Sequence, residues 1–283
     1  MKVLVLGATG YIGGVLLERL AERGHEVAAV VRPSADGSRR LPGVADERYG
    51  DLADGTALAA VTPEIDVIVH TANLTGDRET DLEAIAALTR TGKRLLYVSG
   101  VWVLGPSDGG DEESPVDPIP AVAYRPEIER LVLDAGGTVV RPGVVHGRGG
   151  GIAALLKAQA AQRGEGVYVS AGGAVPTWTF VHVDDLADLL VTAAEKGGAA
   201  VYHGISEEGV PVTEVAVAAA RAAGAEPVAR PWPLEEAAAV LGEGFAQALA
   251  LGQRVGAART RAALGWNPTR PGVVADLVEG SYA

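Results

Sequence analysis

The sequence contains no cysteine, which excludes disulfide bonds, thiolate nucleophiles and cysteine ligands for a metal ion. It has no long uninterrupted apolar segment, so we expect no membrane span. No charged and then apolar leader precedes the first predicted strand, so we expect no signal peptide. The net charge is −12 and no basic stripe is present, and both features argue against nucleic-acid binding.

What the sequence does contain is enough apolar material for a large core. Hydrophobic residues make up 48% of its 283 positions, which is typical of a folded chain with one large domain or two. Residues 1–6 are predicted to form a buried strand, and 27–31 a second strand. Between them lie a glycine loop, GATGYIG at 7–13, and a helix with one apolar face. This is the context that a dinucleotide fingerprint requires.

The loop glycines have separate roles in such a fingerprint. Gly7 allows the tight turn out of the strand, Gly10 lets a pyrophosphate approach the backbone, and Gly13 lets the helix pack against the strand. The positive end of the helix dipole then faces the phosphates. The spacing is G-x-x-G-x-x-G, and the alternative is a glycine-rich turn without a ligand. The predicted cofactor contacts in this loop are Gly7, Thr9, Gly10, Tyr11, Ile12 and Gly13.

The residue after the second strand predicts which nicotinamide cofactor binds. An acidic residue there holds the ribose 2′-hydroxyl of NAD, whereas an arginine accommodates the 2′-phosphate of NADP. This chain has Arg32, followed by Arg39 and Arg40, and no acid before Asp36. We therefore predict NADP rather than NAD. The alternative is that Arg32 is a solvated loop residue.

Further predicted strands at 48–52, 65–70 and 94–98 alternate with helices, which indicates a parallel sheet. Ligands of such sheets bind at the carboxyl ends of the strands. The predicted fold class is α/β, a Rossmann-type doubly wound parallel sheet with a smaller C-terminal substrate-binding lobe. A nucleotide-dependent enzyme without a leader is expected in the cytoplasm.

Seven segments occur in a characteristic order over nearly the whole chain. They are GATGYIGG at 7–14, GDL at 50–52, HTA at 70–72, YVSGVWVLG at 97–105, RPGVVHG at 141–147, FVHVDDLADLL at 180–190 and LGWNP at 264–268. In these segments the chain resembles the extended, epimerase/dehydratase-type short-chain dehydrogenase/reductase family.

The resemblance implies how the chain is divided and where the cofactor lies. It implies an NADP-binding domain of residues 1–147 plus about 177–205, and a substrate-binding lobe of 148–176 plus 206–283. It also implies that Asp51 and Leu52 lie near the adenine. The same comparison implies that Thr71, Ala72 and Asn73 line the central part of the cofactor.

The family's catalytic motif, a serine with Tyr-x-x-x-Lys, is degraded in this chain. The serine position falls on Gly100, with Ser99 one residue earlier. Taking Tyr124 as the tyrosine puts Ile128 at the lysine position. The other register puts Arg125 at the lysine and Ala121 at the tyrosine. Neither register restores the motif.

Each substitute for this motif has a chemical limit. Arg125 can supply a fixed positive charge but cannot relay a proton, because it does not deprotonate. Tyr124 without a nearby cation is expected to keep a pKa near about 10, which makes it a poor base. A packing or surface role for Tyr124 remains an equal alternative. The candidate catalytic residues from this motif region are therefore Tyr124, Arg125 and Ser99.

Histidines supply the remaining candidates. His146 stands where the family usually has an aromatic residue, and it is a candidate acid or base because its ordinary pKa is near neutral. The alternative is a histidine that fills an aromatic packing position. His182 precedes Asp184 and Asp185, which we interpret as an N-cap and first-turn residue of a helix, so no metal site is predicted.

The substrate lobe has few charges, and its aromatic residues Trp102, Trp178, Trp232 and Phe245 predict a partly apolar pocket. A nucleotide sugar is the alternative substrate, because Arg148 and Arg254 offer cations for its phosphates. The predicted function is hydride transfer to a carbonyl or C=C group of a small, partly apolar metabolite. The alternatives are a non-redox cyclase, lyase or isomerase, or a non-catalytic NADP-binding sensor. A homodimer is compatible with the sequence.

Overall fold

A computed structural model of the protein describes residues 1–32, 41, 44 and 46–283. Its strands are β1 (Lys2–Leu6), β2 (Glu26–Val31), β3 (Asp46–Tyr49), β4 (Val67–His70), β5 (Arg94–Val98), β6 (Ser107–Gly110), β7 (Thr138–Pro142), β8 (Val144–His146), β9 (Glu165–Ser170), β10 (Thr177–His182), β11 (Ala200–Gly204), β12 (Glu207–Pro211), β13 (Glu226–Pro233) and β14 (Gln253–Val255).

The α-helices are α1 (Tyr11–Glu22), α2 (Arg78–Arg90), α3 (Arg125–Asp134), α4 (Gly151–Arg163), α5 (Val183–Lys196), α6 (Val212–Ala222), α7 (Leu234–Leu241), α8 (Glu243–Leu249), α9 (Ala258–Leu264) and α10 (Val273–Glu279). Short 3₁₀ helices span Thr56–Ala60, Val101–Leu104 and Pro120–Val122. Within the described residues, no helix combines the length and the apolar character needed to cross a bilayer.

Seven strands form the main sheet in the order β3-β2-β1-β4-β5-β7-β11, and the neighbours from β3 to β7 are parallel. β1 lies at the centre, where Leu4 is the register partner of Ala28 in β2 and of Ile68 in β4. The run from Val3 to Leu6 is buried because both faces of a central parallel strand are covered. The predicted doubly wound α/β fold is thereby confirmed.

The strand order reverses beside β1, and this reversal creates the crevice that ligands use in such folds. The chain runs from β1 outward to β2 and β3, and then returns to β4 on the other side of β1. The loops that leave β1 and β4 therefore depart in opposite directions from the same edge of the sheet. The predicted glycine loop follows β1, and the segment from Thr71 to Asn73 follows β4.

The chain divides into two compact units. The first contains Met1–Ser99, Tyr124–Arg141 and Ala187–Tyr202, and the second contains Gly100–Ala123, Pro142–Leu186 and His203–Ala283. Residues 100–123, 142–147, 177–186 and 203–205 belong to the second unit, whereas the sequence predicts them in the cofactor domain. Strand pairing explains the difference. β6, which lies within 100–123, pairs with β14, and β10 pairs with both β8 and β12.

The second unit has its own apolar core, and two of the aromatic residues predicted to line a pocket belong to it. Trp178 and Trp232 are each 3% exposed and pack among the residues of this core. They are structural residues, which corrects the prediction. Trp102 and Phe245 are half-buried and form an edge-to-face pair with ring centroids 6.4 Å apart.

Candidate active site

The glycine loop approaches the loop after β4 more closely than a side chain would allow. Gly7 has a φ of +83°, and a Cβ built on it would lie 2.5 Å from the backbone nitrogen of Ala72. A Cβ on Gly13 would lie 2.1 Å from the carbonyl oxygen of Gly7. Only glycine satisfies both the backbone conformation and the space at position 7. The helix therefore begins directly beneath the loop.

The N-terminus of α1 is arranged to receive an anion. Gly10 is its N-cap and supplies no side-chain hydrogen bond, and the first turn contains no acidic residue. The backbone nitrogen of Gly10 donates to the carbonyl oxygen of Gly7 at 2.9 Å, which fixes the loop. Helix amide groups and the helix dipole then favour a phosphate at this end.

A groove with a volume of about 650 Å³ runs along this edge of the sheet in the first unit. Segments that follow β1, β2, β3 and β4 line it. It includes every residue predicted to contact the cofactor except Gly13, which lies under the loop. These lining residues are Gly7, Thr9, Gly10, Tyr11, Ile12, Arg32, Asp51, Leu52, Thr71, Ala72 and Asn73.

The end of β2 carries the residue predicted to select the cofactor. Arg32 follows the last residue of β2, is exposed and lines the groove. The other two arginines of the prediction, Arg39 and Arg40, lie outside the described residues. Asp51 turns its carboxylate to its own loop, where Oδ1 accepts a hydrogen bond of 3.0 Å from the backbone nitrogen of Ala53.

Thr71 has a structural role in addition to its place in the groove. Its hydroxyl donates to the carbonyl oxygen of Leu6 at 2.8 Å, and its backbone nitrogen donates to the same oxygen at 2.9 Å. These two bonds tie the loop after β4 to the end of β1. The hydroxyl proton of Thr71 is thus already engaged.

Tyr124 lies at the N-cap of α3, and its hydroxyl donates to Oδ2 of Asp81 at 2.7 Å. Burial and this bond to a carboxylate raise the pKa of Tyr124 to about 12. The positive charge of Arg125 lowers the same pKa, but it is the weaker influence. The expected pKa near 10 therefore does not hold, and the phenol stays protonated at neutral pH.

Sequence reasoning missed Asp81, which is 5% exposed and lines the groove. An acid in the first turn of a helix is a common partner of the helix dipole, so the sequence carries no distinctive signal for it. It also missed His70 and Tyr97, whose rings contact edge to face at 5.5 Å. Burial lowers the pKa of His70 to about 4 and raises that of Tyr97 to about 12.

Ser99 directly follows β5 and is 7% exposed. Its backbone nitrogen donates to the carbonyl oxygen of Val140 at 2.8 Å. Its Oγ is buried and has no hydrogen-bond partner among the described residues. Two more buried polar atoms lack a hydrogen-bond partner among the described residues, namely the hydroxyl of Tyr97 and Nδ1 of His70. Together with Ser99 they lie at the carboxyl ends of the adjacent strands β4 and β5.

His146 belongs to the second unit and is fully buried. Its ring packs edge to face on Phe180 and on His182, at centroid distances of 6.1 and 5.1 Å. Burial lowers the pKa of His146 to about 4, so the ring is neutral at neutral pH. This environment favours the packing alternative over an acid or base.

Two arginines of the second unit that the sequence offers as phosphate ligands have acidic partners. Arg148 Nη2 lies 2.7 Å from Oδ1 of Asp184, and Arg254 Nε lies 2.7 Å from Oδ1 of Asp108. Asp184 lies within the first turn of α5, which begins at Val183, so it is not the N-cap that was predicted. Both arginines have acidic partners, which is unfavourable for capturing the phosphates of a nucleotide sugar.

A parallel sheet with a glycine loop at its switch point, an anion-favouring helix N-terminus and an adjoining groove define the dinucleotide-binding class of α/β enzymes. The model of the NAD dependent epimerase/dehydratase family matches residues 3–203, and the chain belongs to this family. The resemblance to extended short-chain dehydrogenases/reductases is confirmed. The chain is thus an NAD(P)-dependent enzyme of the reductase, dehydrogenase or epimerase type.

Individual relatives cover most or all of the chain. It is 32% identical over 301 residues to a Streptomyces 3-diazoavenalumate denitrifying reductase, covering 96% of this chain and 97% of the relative. It is 31% identical to a 4-hydroxy-2-methyl-3-oxo-4-farnesyl-3,4-dihydroquinoline-1-oxide ketoreductase of Stigmatella aurantiaca, covering 75% and 70%. The crystal structure of human epimerase family protein SDR39U1 with NADPH matches with a TM-score of 0.73 and 25% identity, covering 99% of each chain.

Proposed function

We propose that the chain is an NADP-dependent oxidoreductase that transfers hydride to a carbonyl or C=C group of a small, partly apolar metabolite. The observation that carries the proposal is Arg32, an exposed cation at the end of β2 that lines the groove beside the glycine loop. An arginine at this place accommodates a 2′-phosphate. The similarity to a human protein whose structure contains NADPH supports the same choice.

The residues of the groove fit a dinucleotide. The glycine loop lines the groove, and the N-terminus of α1, whose first turn has no acidic residue, favours a pyrophosphate. When bound, the nicotinamide supplies the hydride. The protein binds and orients the two reactants and supplies a proton to the reduced group.

Tyr124 is the proton donor that we propose. Its pKa of about 12 keeps it protonated at neutral pH, as a donor must be, and its hydroxyl is bonded to Asp81, which lines the groove. Arg125 stabilises the tyrosinate left after proton transfer, because its positive charge lowers the pKa of Tyr124. Ser99, with a buried Oγ, is a further member of the proposed catalytic set.

Features of the second unit and of the relatives support the proposed character of the substrate. Trp102 and Phe245 offer a half-buried aromatic pair, whereas Arg148 and Arg254 are engaged with acidic partners. This balance supports an apolar group over a sugar phosphate. Two relatives are named as reductases, which supports hydride transfer.

The cofactor assignment is tested by titrating the purified protein with NADPH and with NADH. Arg32→Ala should weaken NADPH binding roughly 10- to 100-fold, the value of a charge-assisted hydrogen bond, and change NADH binding little. The matched control is Arg130→Ala, which removes an exposed arginine from α3. Equal losses of both cofactors would refute the 2′-phosphate assignment, and binding of neither would remove the redox function.

A second candidate function is a non-redox reaction on the same fold. It is favoured by Gly100 at the expected serine and by the hydrogen bond that engages the hydroxyl of Tyr124 with Asp81. A screen of carbonyl compounds for substrate-dependent NADPH oxidation separates the two candidates. Turnover of a substrate without consumption of the cofactor favours the non-redox function. If Tyr124→Phe keeps full activity, Tyr124 is not the proton donor.

A further inference from the structure

Two histidines and one aspartate of the second unit come together at the end of its three-stranded sheet. His146 ends β8 and His182 ends β10, and they are register partners in these parallel strands. Asp276 reaches them from α10. All three are buried, with exposed fractions of 0%, 6% and 3% for His146, His182 and Asp276.

The polar atoms of these three side chains converge on one carboxylate oxygen. Oδ2 of Asp276 lies 3.2 Å from Nδ1 of His146 and 3.9 Å from Nε2 of His182. One ligand atom from each residue falls within 4.8 Å of the others. Ligands at about 2.0–2.2 Å from a tetrahedral zinc ion are about 3.4 Å apart, so small side-chain movements complete such a site.

Each ring also has a carboxylate on its far nitrogen. Nε2 of His146 is buried without a hydrogen-bond partner among the described residues, and Oε2 of Glu207 lies 3.9 Å from it. Nδ1 of His182 lies 3.5 Å from Oδ2 of Asp184. Histidines that bind a metal characteristically donate their other ring N–H to such a carboxylate, which orients the ring and increases its basicity.

We propose that His146, His182 and Asp276 bind a divalent transition-metal ion, with zinc as the best match to this donor set. Two imidazoles and one carboxylate are typical zinc ligands and leave a fourth position for water. Asp276 and Glu207 together offset the charge of a buried dication. The ion would connect α10 to the ends of β8 and β10 and so stabilise the second unit.

Metal binding requires a specific tautomer of His182. In the structure, Nδ1 accepts a hydrogen bond of 3.2 Å from the backbone nitrogen of Asp184. Binding of the ion to Nε2 therefore requires this bond to break, so that Nδ1 carries the proton and donates it to Oδ2 of Asp184, which lies 3.5 Å away. The carboxylate of Asp184 is therefore part of the site, and its removal should weaken metal binding.

The test begins with protein that has been freed of metal by a chelator. After addition of Zn²⁺ and removal of excess ion, we expect one bound equivalent per chain and a higher melting temperature. X-ray absorption of the zinc-loaded wild type should show two imidazole ligands. Absence of stoichiometric binding, or binding without imidazole ligands, would overturn the proposal.

Variants locate the bound ion. His146→Phe keeps a ring against Phe180 but removes a ligand, and it should weaken zinc binding more than about tenfold. Glu207→Gln retains all three ligands, so it tests the outer carboxylate without removing a ligand, and about tenfold weaker binding is expected. Circular dichroism checks that both variants are folded.

The matched control is His25→Asn. His25 belongs to the first unit and lies beside the N-terminal amine and Glu195, a combination that can bind zinc adventitiously. This variant should retain one equivalent of zinc with unchanged affinity. Loss of binding in His25→Asn together with retention in His146→Phe would assign the ion to the surface and refute the proposed site.

Discussion

The hydroxyl of Tyr124 donates a hydrogen bond of 2.7 Å to Oδ2 of Asp81. The same carboxylate accepts from the backbone nitrogen and the hydroxyl of Thr75, at 3.0 and 2.9 Å, and from the backbone nitrogen of Gly76 at 3.3 Å. Asp81 therefore connects the loop beside the groove to the residue that we propose as proton donor. Its negative charge also helps to keep that donor protonated.

Asp81→Asn should lower the pKa of Tyr124 from about 12, because the substitution removes a negative charge and leaves the positive charge of Arg125 in place. The value should remain above the ordinary one, since burial is the largest cause of the shift. The measurement is the pH titration of tyrosinate absorbance, taken as the difference from the same variant with Tyr124→Phe. Glu83→Gln, at an exposed position of the same helix, is the control and should change nothing.

Gly7→Ala should abolish NADPH binding and destabilise the fold, because a Cβ there meets the backbone of Ala72 at 2.5 Å. Gly24→Ala isolates the backbone contribution, since Gly24 has a φ of +76° but no heavy atom lies within 4 Å of the place that a Cβ would take. The control should cost only about 1–2 kcal/mol in the free energy of unfolding. Chemical denaturation and cofactor titration measure both variants, and similar behaviour of the two would contradict the steric argument.

His70 should make the protein sensitive to acid. Burial lowers its pKa from 6.5 to about 4, so the unfolded chain binds more protons than the folded one between these values. Stability should therefore fall as the pH decreases through this range, by up to ~3 kcal/mol from this residue alone. His70→Phe keeps the aromatic contact with Tyr97 and should show a flatter stability profile. If urea denaturation shows the same pH dependence of stability for the wild type and His70→Phe, this assignment is refuted.

Glu129 and Glu127 lie on the same helix but should differ widely in their effect on stability. Glu129 forms a buried ion pair with Arg141, with Oε2 and Nη2 2.6 Å apart. Glu129→Gln should reduce the free energy of unfolding by about 3–5 kcal/mol, because it leaves the charge of Arg141 buried and uncompensated. Glu127 pairs with Arg78 at the surface, and Glu127→Gln should cost no more than about 1 kcal/mol. Equal costs in chemical denaturation would contradict the role of burial.

The parts of the site that could be predicted are those encoded over short stretches of the chain. The apolar run of β1, the glycine spacing from Gly7 to Gly13 and the position of Arg32 after β2 are all local patterns. Strand, loop and helix of this kind have one favourable arrangement in a parallel sheet. The groove beside them therefore contains the residues that the pattern indicates.

The surroundings of the proposed proton donor could not be predicted in the same way. Asp81 and Tyr124 are 43 positions apart, and nothing near either residue in the sequence indicates the other. The chain lacks the family's Tyr-x-x-x-Lys motif, which is the local pattern that would have indicated the catalytic tyrosine. The shifted pKa of Tyr124 depends on burial and on a distant carboxylate, and both arise from packing.

The sequence by itself determined the doubly wound sheet, the glycine loop and the cation at the end of β2, because strand periodicity and glycine conformation act within a few residues. Tertiary structure alone decided the pairing of Tyr124 with Asp81, and the meeting of His146 with Asp276 across 130 positions. It also decided that β6 joins the second unit, through its pairing with β14. Such contacts depend on which surfaces become buried together, and local sequence does not encode that.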